Sequence, residues 1–386
     1  MIIFSYNFLQ VIFFPIFILI AFYRVLIKKE TLNSLLQKLF CLFKFSKISN
    51  YEYLIHFSSI GELNSIDFLI KKLKEEKILL TCSTLSSYSL ANNRYERLDI
   101  IFLPLDFRWN VVNFLSRVKI NKIIWVDSEI WPNWLIQSKK KNIKNILVNA
   151  RLSEKSYLRW RKFTSLSKEL GKKYNLIFAK SMNDKKKFES IFFNKVLYFG
   201  NLKFYQSVKL NTEKKNVVCF ASIHKNEFDQ IKEIIKYINN SKIDEFIIIP
   251  RHIQFSNQLK KIFRHNNNLK ISILDEFGKN NKVYEKSKVV FMGGSLISHG
   301  GQNPIEPLSR GCKIISGIHV DNFIEVYSEL ENLLLAKTSK NNDLQEIASM
   351  IEELMINEKN NDLIIEKYFK SKTENLGLLV NQIKEC

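Results

Sequence analysis

The sequence is poor in the two residues that most often interrupt helices and strands, with six prolines and eleven glycines among 386 residues. Proline fixes the backbone and removes a hydrogen-bond donor, so each proline in such a chain marks a loop whose geometry matters. One proline lies in an apolar N-terminal segment. The other five lie in short stretches after apolar runs, at Pro104, Pro132, Pro250, Pro304 and Pro307.

Cysteine is equally scarce. The five cysteines are far apart, are odd in number and form no CxxC pair, which argues against a disulfide framework and against a zinc site. This usage is typical of a protein from a reducing compartment. The cysteines are Cys41, Cys82, Cys219, Cys312 and Cys386.

Acidic residues are outnumbered, since 38 Asp and Glu face 59 Lys and Arg and give a formal net charge of +21. The lysines are spread along the chain and form no tract with interleaved aromatic residues, which argues against a nucleic-acid partner. A basic face toward an anionic membrane or an anionic substrate explains the charge at least as well. A hydrophobic fraction of 46% excludes a disordered chain.

The N-terminus has no charged residue from Met1 to Tyr23, a span close to the ~20 residues that cross a bilayer. Basic residues follow at once and place that side in the cytoplasm by the positive-inside rule. A cleaved signal peptide is the alternative, but neither a basic start nor a small-x-small cleavage site is present. We therefore predict a transmembrane anchor over residues 1–27. Residues 30–45 continue as a basic amphipathic stretch that suits either the headgroups or a plain connecting helix.

Short apolar runs alternate with segments of helical period along the rest of the chain, which predicts α/β structure with parallel sheets. A polar, Lys-rich stretch at Leu210–Asn216 reads as a linker, giving domains at residues 28–209 and 210–386. The tail from Asp343 is helical in pattern. The predicted strands are Tyr53–Phe57, Ile78–Cys82, Ile100–Leu103, Ile123–Val126, Ile146–Val148, Leu176–Ala179, Val196–Phe199, Val217–Phe220, Phe246–Ile249, Ile271–Leu274, Val289–Met292 and Lys313–Ile315.

The densest motif is Phe291–Pro307, FMGGSLISHGGQNPIEP, where an apolar run enters a glycine-rich loop and a helix start leaves it. Such a loop brings backbone N–H groups close to a phosphate. Asn303 suits the N-cap, Pro304 suits the first helical position, and Glu306 falls at the capping-box position. A capped helix after a glycine turn, with purely structural roles, is the alternative.

Acidic residues follow three predicted strands of the first domain. Glu62 follows Ser59 and Gly61 at the start of a predicted helix, where the helix dipole stabilises a carboxylate. The same carboxylate could instead act as a general base, and the local sequence leaves both roles open. Asp127 and Glu129 lie near Trp131 and Trp134, which suit sugar recognition or anchor a loop. Asp106, after Pro104, is a candidate helix cap.

Basic residues follow two other strands. Arg151 lies in the stretch NARLS, and its planar guanidinium suits phosphate oxygens, with helix capping by Asn149 or Ser153 as the structural alternative. Arg251 and His252 follow a strand of the second domain, where Arg remains charged and His can donate a hydrogen bond.

Taken in order, these motifs resemble one family from about His56 to Glu325. The glycine loop, with GGS, HGG and NPxEP, resembles the donor-nucleotide loop of the bacterial 3-deoxy-D-manno-octulosonic acid (Kdo) transferases of glycosyltransferase family 30. HFSSIGELNS, PLD, DSEIWPN, NAR and GNLKF resemble further segments of that family. The sequence departs from the family at Asp127, where Glu is usual, at Gln302, where His is usual, and after His252, where Pro and a basic residue are usual.

The resemblance implies a GT-B fold, in which two Rossmann-like domains face a cleft, and transfer of Kdo from CMP-Kdo to a lipid A precursor with inversion, at the cytoplasmic side of the cell inner membrane. It implies Glu62 as the catalytic base, supported by Glu129, and no metal or cofactor. Ser59, Gly61 and Arg151 fall on the acceptor side. The implied donor contacts are Arg251, His252, Gly293, Gly294, Ser295, Asn303 and Glu306. Another membrane-associated GT-B enzyme that uses a UDP-sugar, and a non-catalytic membrane-tethered binding protein, remain alternatives.

Overall fold

The computed structural model describes residues 2–43, 49–210, 213–238, 242–264, 270–276, 278–357 and 361–386. The chain forms two compact units, Met1–Tyr205 together with Lys372–Cys386, and Gln206–Ser371. The sequence placed the division near residue 210, and two residues of the predicted linker, 211 and 212, lie outside the described ranges, as do residues 44 and 45 of the predicted amphipathic stretch. The C-terminal residues, predicted to belong to the second domain, lie in the first unit.

The first unit contains a parallel seven-stranded sheet in the order β3-β2-β1-β4-β5-β6-β7. The strands are β1 (Ser49–Phe57), β2 (Ile78–Cys82), β3 (Asp99–Phe102), β4 (Val118–Val126), β5 (Lys144–Ala150), β6 (Leu176–Ala179) and β7 (Leu197–Tyr198). The helices are α1 (Ile2–Leu26), α2 (Leu32–Phe40), α3 (Ile60–Lys72), α4 (Leu85–Arg94), α5 (Arg108–Arg117), α6 (Pro132–Lys140), α7 (Glu154–Lys162), α8 (Thr164–Gly171), α9 (Met182–Phe192) and a 3-10 turn at Leu202–Phe204.

The second unit contains a parallel six-stranded sheet in the order β10-β9-β8-β11-β12-β13. The strands are β8 (Lys215–Ile223), β9 (Glu245–Pro250), β10 (Ile271–Ile273), β11 (Ser287–Met292), β12 (Lys313–Ser316) and β13 (Ala336–Thr338). The helices are α10 (Phe228–Tyr237), α11 (Ser256–Ile262), α12 (Asn280–Lys286), α13 (Ile305–Leu308), α14 (Ile324–Asn332), α15 (Leu344–Ile356) and α16 (Asp362–Thr373), with 3-10 turns at Lys225–Glu227 and Ile253–Phe255. The last helix of the chain, α17 (Leu376–Glu385), belongs to the first unit.

Both sheets are covered on both faces, which explains why their strands read as continuous apolar runs and not as alternating ones. In β4, Ile123 and Trp125 are buried in one layer, whereas Ile124 and Val126 are buried in the opposite layer. Leu379 and Ile383 of α17 are buried in that second layer. The alternating α/β pattern and the parallel sheets predicted from the sequence are confirmed.

Serine and threonine caps define where the helices after the strands begin. Ser59 accepts a hydrogen bond from the N–H of Glu62, and Ser153 and Ser181 cap α7 and α9 in the same way. Because the carboxyl ends of parallel strands meet at one edge, these caps gather the loops after the strands at the ligand-binding edge of the sheet.

Candidate functional site

Glu62 is held at the first turn of α3 by two neighbouring serines. The backbone N–H of Ser58 donates to Glu62 Oε2 over 2.6 Å, and the hydroxyl of Ser59 donates to Oε1 over 3.0 Å. The carboxylate is mostly buried and has a fixed orientation. The residue predicted as the general base therefore also contributes to the N-terminal cap of α3. The structural role and the predicted catalytic role of Glu62 do not exclude each other.

Glu129 lies in the loop between β4 and α6 and is linked to Glu62 through Ser58. The Ser58 hydroxyl donates to Glu129 Oε1 over 2.6 Å, while the N–H of the same residue donates to Glu62. The indole N–H of Trp131 donates to Glu129 Oε2, and His56 Nε2 lies 3.9 Å from that oxygen. The structure thus brings the two predicted carboxylates to one serine.

Sequence reasoning missed His56 and Ser58 as parts of this cluster. His56 is fully buried at the end of β1, and its Nδ1 lies 3.0 Å from the hydroxyl of Thr81. Burial lowers the pKa of His56, and the charge of Glu129 opposes that shift. The only signal was a histidine within an otherwise apolar strand next to the SSIGE motif.

Burial and neighbouring charge both act on Glu62. Burial, followed by the charge of Asp127, raises the pKa of Glu62 from 4.5 to about 7, with Glu129 contributing in the same direction and the Ser58 N–H opposing. A carboxylate with a pKa near the operating pH accepts a proton and passes it on readily, which suits a general base.

Asp127, Asn149 and Arg151 tie three sheet-edge loops together. Asp127 and Asn149 have φ of 70° and 53°, and the Asn149 amide donates to Asp127 Oδ1 over 2.9 Å. Asn149 Oδ1 accepts from the N–H of Leu202 over 3.0 Å, and the N–H of Arg151 donates to the Asp127 carbonyl. The alternative role of Asn149 as a helix cap is wrong, because its side chain joins the NAR and GNLKF motifs.

The same edge carries a buried lysine that the sequence did not single out. Burial, then the charge of Lys203, lowers the pKa of Lys180 to about 7; Asp127 opposes this shift and Arg151 adds to it. The charges of Lys203, Arg151 and Asp127 therefore all act on Lys180, and the basic side chains among them suit an anionic group of a substrate.

Asp106 caps a helix other than the one that follows it in sequence. Its carboxylate accepts from the N–H groups of Asn133 and Trp134, over 3.1 and 2.9 Å, and so fixes the start of α6 directly after Glu129. Burial raises the pKa of Asp106 to about 7. Trp134 is fully buried against Trp125, so Trp134 anchors the loop and is not a sugar platform.

In the second unit the glycine loop is closed around a carboxylate. The N–H groups of Gly294, Ser295 and Leu296 donate to Glu227 over 2.8, 3.1 and 3.1 Å, and the N–H of His224 donates to the same carboxylate over 2.9 Å. The loop does form the predicted concave set of amides. These amides hold a side chain of the protein, the carboxylate of Glu227, and the direct phosphate contact expected for Gly294 and Ser295 stays a prediction.

Two glycines of the loop occupy positions where a residue with a Cβ atom would clash or be strained. A Cβ at Gly293 would lie 2.5 Å from the carbonyl oxygen of Ser222, and Gly294 has a φ of +69°. Ser295 bonds within the loop, since its hydroxyl donates to the Met292 carbonyl over 2.6 Å. The Gly293–Ser295 motif therefore builds the loop.

Basic side chains gather beside the glycine loop at the ends of β8 and β9. The rings of His224 and His299 lie 4.6 Å apart, and those of His224 and His252 lie 6.4 Å apart. Burial, then the charges of His299, Arg251 and His252, lowers the pKa of His224 to about 4. Gln302, which replaces the usual histidine, places its amide nitrogen 3.2 Å from His224 Nε2. Arg251 is the permanent positive charge of this cluster.

The helix start after the loop differs from the prediction by one residue. Asn303 Oδ1 accepts from the N–H of Ile305 over 3.2 Å, but Pro304 is the N-cap and α13 begins at Ile305. Glu306 lies half-buried in the first turn of this four-residue helix. Across the described ranges, no group of three His, Cys, Asp or Glu side chains is arranged to hold a metal ion.

Two parallel α/β units, each with polar loops after its strands, define the GT-B class. The structure is similar to Anabaena Alr3699/HepE in complex with UDP, at 13% identity over 86% of this chain and 98% of that chain, with a TM-score of 0.59. It is also similar to UDP-GlcNAc 2-epimerase from Neisseria meningitidis, at 14% identity over 86% and 99%, with a TM-score of 0.55. At this identity the likeness shows the fold alone.

Sequence comparisons find one family over part of the chain. The family described as 3-deoxy-D-manno-octulosonic-acid transferase (kdotransferase) matches residues 33–206. The chain is 29% identical to the 3-deoxy-D-manno-octulosonic acid transferases of Rickettsia bellii, over 81% of each chain, and of Aquifex aeolicus, over 80% of this chain and 89% of that one. It is 28% identical to a bifunctional glycosyltransferase/methyltransferase of Fusobacterium nucleatum, of which it spans 59%. The chain is thus similar to the bacterial Kdo transferases, and these likenesses support a glycosyltransferase.

Proposed function

We propose that the protein transfers Kdo from CMP-Kdo to the glucosamine of a lipid A precursor, with inversion at the anomeric carbon, in lipopolysaccharide inner-core synthesis. The observation that carries the proposal is the pairing of Glu62 and Glu129 through Ser58 in a chain similar to this family. A non-catalytic binding protein has no need for a buried carboxylate with a pKa of about 7.

The proposed reaction is a direct displacement. Glu62 takes the proton of the acceptor hydroxyl while the hydroxyl oxygen forms a bond to the anomeric carbon of Kdo. The bond from that carbon to the phosphate oxygen breaks, and its electron pair leaves with CMP. Glu129 orients Ser58, and its charge helps to raise the pKa of Glu62. Proton transfer to a positioned base of this kind contributes about 10²–10⁴ to a rate.

The donor contacts are assigned to the second unit. Arg251 supplies the positive charge for the CMP phosphate, beside the imidazoles of His224, His252 and His299. The glycine loop, with Asn303 at its end, is proposed to form the wall of the donor site. Its amide N–H groups already donate to Glu227. Glu306 is proposed to bind ribose hydroxyls.

The acceptor contacts are assigned to the first unit. Ser59 and Gly61 border the base, and Arg151 with Lys180 suits a phosphate of the lipid A precursor. An acceptor of this kind lies in the inner leaflet, so we propose attachment to the cytoplasmic face of the inner membrane through α1. Residues 3–26 are long and apolar enough to cross a membrane by length and composition.

The value of kcat/KM is expected to fall about tenfold for each pH unit below 7, because Glu62 must be deprotonated to act and its pKa is about 7. Initial rates of transfer between pH 5 and 9 measure this. Asp127→Asn removes the largest charge effect on Glu62, so it should shift the midpoint to lower pH. A midpoint that stays in place would assign the profile to a group on which the charge of Asp127 does not act.

Substitution Arg251→Ala is expected to weaken CMP binding by about 10- to 100-fold, because a charge-assisted hydrogen bond to phosphate contributes about 1.5–3 kcal/mol. Titration calorimetry with CMP measures this. Arg264→Ala, which removes an exposed arginine from the same unit, is the matched control and should bind CMP as the wild type does. Equal affinities for all three proteins would remove Arg251 from the donor site.

The proposed function is tested by transfer from freshly generated CMP-Kdo to a tetra-acylated lipid A precursor, with the product analysed by mass spectrometry. A product heavier by one or more Kdo units supports the proposal, and its mass counts the sugars added. A folded protein that transfers nothing but binds UDP would favour the UDP-sugar enzyme. A folded protein that binds neither nucleotide would favour the non-catalytic alternative.

A further inference from the structure

The N-terminal helix α1 lies against the first unit along nearly its whole length. One stripe of its residues is half-buried at helical spacing, and the opposite stripe is exposed. The half-buried residues, which recur every three or four positions, are Ile3, Tyr6, Asn7, Gln10, Phe14, Ile18, Ala21 and Val25.

Both ends of α1 contact the same unit. Near the start, the Tyr6 hydroxyl donates to Asp106 Oδ2 over 2.9 Å, and the Gln10 amide donates to the Asp106 carbonyl over 3.0 Å. Asn7 Oδ1 accepts from the Asn133 amide over 2.9 Å. Toward its end, Ile18, Ala21 and Val25 pack against a cluster formed by Leu35, Leu39 and Phe107.

These contacts conflict with a helix that crosses the bilayer. At 1.5 Å per residue the 25 residues of α1 extend about 37 Å, more than the ~30 Å hydrocarbon core. If α1 crossed the core, Asp106 and the loops around it would also lie in hydrocarbon. Irregular backbone exposed to lipid does not occur there. Helix α1 must therefore lie parallel to any membrane that it enters.

The outward face of α1 is apolar and is continued by the neighbouring helix. Trp109 and Val112 of α5 are 40% and 42% exposed beside it and form a groove with α1. Arg108 lines the same groove, and Lys28 and Lys29 follow α1. The exposed large apolar residues of α1 are Phe4, Phe8, Leu9, Val11, Ile12, Phe13, Ile16, Phe17, Leu19, Ile20, Phe22, Tyr23 and Leu26.

We propose that the first unit is attached to an anionic lipid surface by the outward face of α1 and the adjacent residues of α5, with α1 lying in the plane of one leaflet and both of its ends on the cytoplasmic side. This proposal refines the membrane attachment given with the proposed function and replaces the spanning helix expected from the sequence. An apolar face of this size with basic residues at its border is typical of helices that insert about 5–10 Å into the headgroup region.

The test is the depth of four spin labels in vesicles of three parts phosphatidylethanolamine to one part phosphatidylglycerol. Single cysteines replace Phe8, Ile12, Leu19 or Leu26, which lie on one outward line of the helix, in the full chain with Cys386 replaced by serine. The other native cysteines are buried. An in-plane helix gives four similar depths, measured by collision with oxygen and with a nickel chelate. A deep Ile12 with a shallow Leu26 would mean that α1 crosses the bilayer and would overturn the proposal.

A second measurement separates lipid from a second copy of the chain. The double variant Phe8→Asp and Leu19→Asp is expected to lose vesicle binding at least tenfold while retaining CMP binding. If the wild-type protein dimerises through this face in detergent-free buffer and does not bind the vesicles, the face is a protein interface and the proposal is overturned. Transfer is assayed separately from label depth, so the two proposals can fail independently. An active enzyme whose label depths show a spanning helix would contradict only this inference. A protein whose labels lie at similar depths but which transfers nothing would contradict only the proposed function.

Discussion

Replacing Glu62 by glutamine is expected to lower kcat for Kdo transfer by about 10²–10⁴ and to leave CMP binding unchanged. Glutamine has the same shape, and its carbonyl oxygen can accept the hydrogen bond from the Ser58 N–H that Glu62 Oε2 accepts. It cannot take a proton from the acceptor hydroxyl. Rates at saturating donor and acceptor, together with CMP calorimetry, measure both quantities on the same protein.

Two variants control this experiment. Glu75→Gln removes an exposed carboxylate from the first unit and should transfer at the wild-type rate. Glu129→Gln keeps the base but removes a charge that raises its pKa, so it should shift the acid limb of the pH profile downward. Undiminished transfer by Glu62→Gln would leave the family assignment intact and require a different base.

The raised pKa of Glu62 also has a consequence for stability. The pKa of Glu62 is about 7 in the folded protein, against an ordinary value of 4.5 in an unfolded chain. Its protonated form therefore contributes stability that is fully present below pH 4.5 and is lost as the pH rises through 7. Glutamine resembles the protonated form at every pH. Glu62→Gln should therefore unfold at the same temperature as the wild type near pH 4 and at a higher temperature near pH 8.

Replacing Glu227 by alanine is expected to lower the free energy of unfolding of the second unit by about 3 kcal/mol or more. Four backbone N–H groups, those of His224, Gly294, Ser295 and Leu296, lose their acceptor. Each unsatisfied buried donor costs about 1–3 kcal/mol, although water entering the space recovers part of that. Thermal unfolding should show the second unit melting earlier by about 2–4 °C per kcal/mol.

Matched substitutions show whether the loss comes from the glycine loop. Glu227→Gln keeps one acceptor oxygen and should lose less stability than the alanine variant. Glu233→Ala removes a half-exposed carboxylate from α10 and should lose little. Inorganic phosphate should raise the unfolding temperature of Glu227→Ala more than that of the wild type, because the vacated amides suit an anion. An alanine variant as stable as the wild type would mean that the amides do not depend on Glu227.

Local patterns predicted much of this protein. The buried strands are continuous apolar runs, and Ser59 marks the start of α3 by its cap. The resemblance to the Kdo transferases implied that Glu129 supports Glu62, and the loops after parallel strands bring the two residues to one sheet edge. Their common partner, Ser58, was unrecognised, since a serine in a turn rarely signals a bridge between two acids.

Other features depend on contacts between distant parts of the chain. Glu227 fills the amides of a loop about seventy residues later, and the sequence showed only the H-x-x-E spacing from His224 that forms a capping box. Helix α17 has an ordinary amphipathic pattern that does not say which sheet it covers. In α1, hydropathy dominated the interpretation, whereas Tyr6 and Gln10, which decide its position, appeared as minor interruptions.

The position of Asp106 bears on how this enzyme should be prepared. One carboxylate receives hydrogen bonds from Tyr6 and from Asn133 and Trp134 in the first turn of α6, which follows the acidic loop. A protein shortened at its N-terminus to improve yield would lose Tyr6 and Asn7, and with them the contacts that steady Asp106 and Asn133. Low turnover in such a truncated protein would then report a disturbed Glu129 loop. Full-length protein in detergent is therefore the sound reference for kinetic work.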